Sequence, residues 1–228
     1  MSYRVLLLLV ILLFPILSFS AVSVIMLDKS AQQLRDEIPS DEPVDTAFVV
    51  AERDAQVVNL DKKQKAGKQM LLVGGAESFV VSLDTGDVVA CLVEIRTSRQ
   101  VRKIRIDGYL IKPSSTMPYV MFPLATALDS GGNVLETLTP LESSRAKGNS
   151  IQNYFLLPDE TTYLLVHGHP EIVASNSAEV EAKGGAAKAL AALGGVIGGV
   201  LYGAAQNFQV EKGKASLSAV GVVEIFAE

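Results

Sequence analysis

Two histidines, His167 and His169, stand two residues apart in "VHGHP", with Glu171 next in register. On an extended chain, residues at this spacing share a face, so the trio could hold zinc given one further ligand. Pro170 interrupts the strand before Glu171, however, and the chain has only 2 histidines. The single cysteine, Cys91, lies in the apolar stretch "VVACLVEI", which favours a buried structural thiol over a nucleophile. The expectation is a solvated strand end and no metal.

A second cluster, "RTSRQVRKIR", gathers Arg96, Arg99, Arg102, Lys103 and Arg105. Guanidinium forks grip phosphates well, so one reading is a patch for an anionic ligand or lipopolysaccharide. The other is an exposed hairpin whose edge is guarded by charge, which the alternation Arg-Lys-Ile-Arg-Ile favours. Carbohydrate sites ordinarily set aromatic platforms beside polar groups. Here tryptophan is absent and Tyr109, Tyr119, Tyr154, Tyr163 and Tyr202 are scattered, with Tyr154, Phe155 and Tyr163 expected in the core. There is no GxSxG, no Ser-His-Asp order and no phosphate loop, since "GGVIGG" lacks the lysine and the strand-to-helix setting. No catalytic residue and no cofactor are assigned, and the chain is not expected to be an enzyme.

The elements that must carry these residues are mostly strands. From Thr46 onward, short runs rich in Val, Ile, Leu and Phe alternate with polar or glycine punctuation: "AFVVAE", "AQVVNLD", "KQMLLVGG", "ESFVVSLD", "DVVACLVEIRTS", "RKIRIDGYLIK", "YVMFPLATALD", "IQNYFLLPD", "TTYLLVHG" and "ASLSAVGVVEIF". Turn signals such as "DTGD" and "DSGGN" separate several of them. That spacing predicts a mainly β, antiparallel β-sandwich, jelly-roll-like, with Leu217, Ala219, Gly221, Val223 and Ile225 on one face of the last strand.

One stretch breaks the β pattern. Asn176 and Glu179 form a capping-box pair ahead of "AAKALAAL", so a Gly/Ala-rich helix is expected within an insertion over 177–207, before the last strand. Gly195, Gly199 and Gly203 recur every fourth residue and would make a flat helix-packing face. Such glycines cost an isolated helix about 1 kcal/mol each, so a packing partner must compensate. Residues 184–204 are long enough to span a bilayer once but too short to cross twice. A single crossing would strand the last β-segment across the membrane from its neighbours. The expected partner is therefore the body itself, a membrane surface, or an envelope protein or second copy of the chain.

The first residues, "MSYRVLLLLVILLFPILSFSA", have the order of a secretory signal peptide: basic Arg4, an apolar run from Val5 to Leu17, then small residues. Cleavage is expected after Ser20, giving a periplasmic chain that starts at Ala21. The alternative is an inner-membrane anchor over 5–27, because Val22, Val24, Ile25, Met26 and Leu27 continue the apolar run. The expected organisation is a signal peptide over 1–20, a helical turn and linker over 21–45, and the β-domain over 46–228. The formal charge of −5 gives no general attraction to nucleic acid.

"VMFPLATALDSGGNVLE" (Val120 to Glu136) has Phe-Pro, further apolar residues, then Leu-Asp and a turn. "FLLPDETTYLLVHG" leads a Tyr-Leu-Leu-Val strand with a proline turn, while "SAQQL", "GGAESFVVSLD" and the closing "AVGVVEIF" flank these elements. Over roughly Ser30 to Phe226 the pattern resembles the maltose-operon periplasmic protein (MalM) family. The resemblance implies an exported, β-rich, non-enzymatic accessory or binding protein linked to maltodextrin and carbohydrate uptake, with uptake components as partners. The alternative is a structural envelope protein that assembles through its glycine-zipper helix.

Overall fold

The computed structural model describes residues 27–40, 42–61, 67, 69–98, 101–141, 145–147, 149–168 and 215–228. The signal-peptide segment and the insertion, with Gly195, Gly199 and Gly203, lie outside the described residues. The fold is mainly β, with two mixed sheets, in keeping with a β-sandwich. In chain order the elements are α1 (Ala31–Asp36), α2 (Thr46–Glu52), β1 (Gln56–Asn59), β2 (Met70–Val73), β3 (Phe79–Leu83), β4 (Gly86–Arg96), β5 (Lys103–Ile111), β6 (Tyr119–Met121), β7 (Leu124–Leu128), β8 (Val134–Leu138), β9 (Arg145–Lys147), β10 (Ser150–Leu156), β11 (Tyr163–His167), β12 (Ser216–Ser218) and β13 (Gly221–Ala227).

The first sheet runs β1-β4-β11-β7-β8, with β3 also on β4. The second runs β12-β6-β5-β10-β9, with β13 joining β5 to β2. The expected all-antiparallel arrangement needs correction, because β1 pairs parallel with β4 and β12 parallel with β6. Each of these parallel partners is reached by a long connection rather than a hairpin, which is what parallel pairing demands.

The core follows from strand alternation. Val89, Cys91 and Val93 of β4 meet Ile104, Ile106, Phe155, Val223 and Ile225 of the other sheet in one buried cluster. Their neighbours Val88, Ala90 and Leu92 point the other way and join Val49, Phe79, Val81, Leu128 and Leu165. With both faces covered, β4 reads as an almost continuous apolar run rather than an alternating one.

Val49 belongs to α2, which corrects the reading of "AFVVAE" as a strand. Asp45 caps this helix, its Oδ1 accepting from the Phe48 amide at 2.7 Å. In α1 the Ser30–Gln33 capping box sets the helix start, and Leu34 is fully buried in the main core. Residues 30–36 are thus packed onto the body.

The Phe-Pro element divides its segment into two strands that lie in different sheets. β6 ends at Met121, Pro123 offers its carbonyl to Asn153 Nδ2 at 2.7 Å, and β7 starts at Leu124. Gly108 of β5 lies directly beneath, where an added Cβ would come within 2.2 Å of the Met121 carbonyl oxygen. The last segment is likewise two strands. Leu217 lies in β12 against β6, whereas Val223 and Ile225 lie in β13 against β5, so the expected single face is broken at Ala219–Val220.

Candidate functional site

Along β5, Arg105, Asp107 and Tyr109 alternate with Ile104 and Ile106, so they share the strand's other face, on which Tyr109 also joins the buried apolar cluster. Register brings Gln152 of β10 and Glu224 of β13 directly beside Asp107 on either side. The result is a polar row on an otherwise apolar sheet, with Asp107 4% and Glu224 0% exposed. Buried carboxyls must find donors. Asp107 accepts from Arg105 Nε at 2.8 Å and from Gln152 Nε2 at 3.2 Å. Glu224 accepts from the Tyr109 hydroxyl at 2.8 Å and from the backbone amides of Gly67 and Gln69 at 2.9 and 3.1 Å. It therefore clamps the β1–β2 connection onto β13 and β5.

Arg105 continues the row. Its guanidinium also donates to Glu228 and stacks 4.3 Å from the Phe226 ring centroid. The expectation of a charge-guarded edge needs correction here, since β5 is interior, with β10 on one side and β13 on the other. The remaining cations are placed separately. Arg96 grips Glu94 at 2.7 and 3.0 Å, Arg102 lies 3.4 Å from Asp159, and Lys103 sits 4.9 Å from the Tyr154 ring centroid. Arg99 lies outside the described residues.

His167 corrects a second expectation. It is 1% exposed, because β11 lies between β4 and β7 and its end is covered. Nδ1 lies 2.8 Å from the Gly168 carbonyl oxygen and Nε2 lies 3.1 Å from Thr126 Oγ1. A neutral imidazole satisfies both contacts by donating from Nδ1 and accepting the threonine hydroxyl at Nε2. Gly168 is pressed against Ala219, leaving no room for a side chain there. His169 and Glu171 lie outside the described residues, among which no group of three His, Cys, Asp or Glu side chains could hold a metal ion. Cys91 is buried, and burial pushes its thiol up to about 12.

Burial pushes the Asp107 carboxyl up to about 6 against the opposing pull of Arg105, and Glu224 adds to the rise. The Tyr109 phenol is raised well above its ordinary value by burial and by Glu224. Because Asp107 holds its proton more tightly folded than unfolded, its contribution to stability is fullest below about pH 4. That contribution is lost as pH rises through about 6, at a cost of about 3 kcal/mol. Chemical denaturation of the parent and of Asp107→Asn from pH 4 to pH 7 should therefore show the parent losing stability relative to the variant. Parallel profiles would mean that Asp107 does not titrate in this window.

Sequence reasoning passed over Asp107, Gln152 and Glu224. The available signal was a lone glutamate inside "VVEIF" and the polar alternation of "RIDGY". Comparison with protein-family models, curated proteins and solved structures finds no match to this chain.

Proposed function

We propose that the chain is a non-enzymatic accessory or binding module of the cell envelope. It is exported to the periplasm, built as a jelly-roll-like sandwich with a Gly/Ala-rich helix, and linked to carbohydrate uptake in the manner of the MalM family. The observation that carries the non-enzymatic part is how the side chains capable of chemistry are engaged. Asp107 and Glu224 are held by donors from two strands and a loop, His167 lies between a threonine and a carbonyl, and Cys91 is enclosed in the core. General acid–base catalysis needs a group within reach of substrate with its proton available for transfer. These groups serve the fold instead. Export and the maltodextrin link rest on the leader-like first residues and on the "VMFPLATALD" and "TTYLLVHG" elements.

The test takes the chain from an envelope fraction and incubates it with maltodextrin. Its mass should correspond to a start at Ala21, and the sugar should be recovered at unchanged length. Shortened oligosaccharides would overturn the non-enzymatic reading, and an intact Met1 would overturn export with cleavage.

A further inference from the structure

β2 is the least supported strand beside the acidic row. It has 4 residues, Met70 to Val73, and among the described strands it pairs with β13 alone. Its entry hangs on one side chain. Glu224 stands in register opposite Met70 and accepts from the amides of Gly67 and Gln69 just ahead of it. Lifting this entry from β13 takes the two amides off Glu224 and admits water to the carboxyls beside them.

Asp107 is the group that responds to that water. It is the register partner of Glu224 across the β5–β13 ladder and is buried with it, so two carboxyls lie side by side. Burial disfavours a carboxylate, and a second carboxylate alongside disfavours it further. Among the described residues, the charged groups that act on Asp107 are Arg105, which it shares with Glu228, and Glu224. Its other polar neighbours are neutral. Gln152 of β10 donates to it, and the Tyr109 hydroxyl, two positions along β5, is committed to Glu224. Arg145 of β9 stands in register with Gln152, one strand further out. Arg105 does not offset the burial, and the carboxyl keeps its proton up to about pH 6.

We infer that the row is a proton-linked latch: the entry to β2 at Gly67 and Gln69 is held most firmly while Asp107 carries its proton and opens more often once that proton is lost. Linkage sets the direction. Closed, Asp107 is buried and binds its proton tightly; opened, it meets water and its affinity returns toward that of an ordinary carboxyl. Opening therefore releases a proton and is favoured as pH rises. The open population climbs between about pH 4 and about pH 6 and levels off above that. Titration of Glu224 would act in the opposite sense, because a protonated carboxyl accepts less well from the two amides.

Amide hydrogen exchange of the full chain from pH 4.5 to pH 8 provides the test, read as protection factors so that the intrinsic pH dependence of exchange drops out. In the parent, protection at Gly67 and Gln69 is expected to fall about tenfold between pH 4.5 and pH 7, and to stay below that of Ile106 throughout. In Asp107→Asn, which cannot titrate, the profile should be flat. A flat profile in the parent, or an equal fall in Asp107→Asn, would overturn the inference. So would protection that falls toward acid, which marks Glu224 as the titrating group. Protection that coincides with Ile106 at every pH would overturn it as well, because the entry would then open only when the whole domain unfolds. The parent alone fixes the sign, whether or not the variant folds. None of these outcomes bears on the envelope reading.

Discussion

Gly108→Ala is expected to destabilise the fold by at least about 3 kcal/mol, a large part of the stability of an ordinary domain. The new Cβ would stand 2.2 Å from the Met121 carbonyl oxygen and 3.0 Å from Pro123 Cδ. Neither neighbour can rotate away, for one is backbone and the other a ring. Relief requires moving β5 against the Phe-Pro element, yet β5 is held by β10 and β13 along most of its length. Gly131→Ala is the control. Its Cβ would make only ordinary contacts at 3.4 Å in an exposed turn, and a change within about 0.5 kcal/mol is expected. Denaturant melts of both variants decide the matter, and a small effect at Gly108 would mean that the Phe-Pro element does not rest on β5.

Glu224→Ala is expected to cost about 3–5 kcal/mol, because it leaves three donors behind rather than simply removing a side chain. The Tyr109 hydroxyl would lose its acceptor in a buried setting, and the amides of Gly67 and Gln69 would lose theirs at its half-buried rim. Glu224→Gln keeps the shape and should cost less. Its amide nitrogen nevertheless faces at least one of the three donors, so some loss should remain. A Glu224→Ala variant as stable as the parent would remove the carboxyl clamp from the account.

Strand content was legible because apolar alternation and turn residues are local signals. "DTGD" closes the β3–β4 hairpin, and Asp129 of "DSGGN" accepts from the Gly131 and Asn133 amides as an Asx-type turn residue does. α2 was misread because seven residues are too few for a 3.6 period to declare itself. Val49 and Val50 are also β-branched, which favours strand on propensity alone. The Asp45 cap was the contrary signal.

The polar row was illegible for a different reason. Asp107 and Glu224 are neighbours only through the β5–β13 register, a pairing across more than a hundred residues that no window can show. The same limit hid the fate of the basic run. Arg105 was grouped with its sequence neighbours, whereas its partners Glu228 and Phe226 come from the far end of the chain. His167 was judged by the open ends expected of a strand, while pairing on both sides encloses it.

The buried acidic row holds the fold together by clamping the β1–β2 connection. Amide hydrogen exchange at Gly67 and Gln69, compared between the parent and Glu224→Gln, tests it most directly. Slow exchange is expected at both amides in the parent and a marked loss of protection in the variant, with Ile104 and Ile106 of β5 still protected. Fast exchange at Gly67 and Gln69 in the parent, or protection unchanged by the substitution, would contradict it.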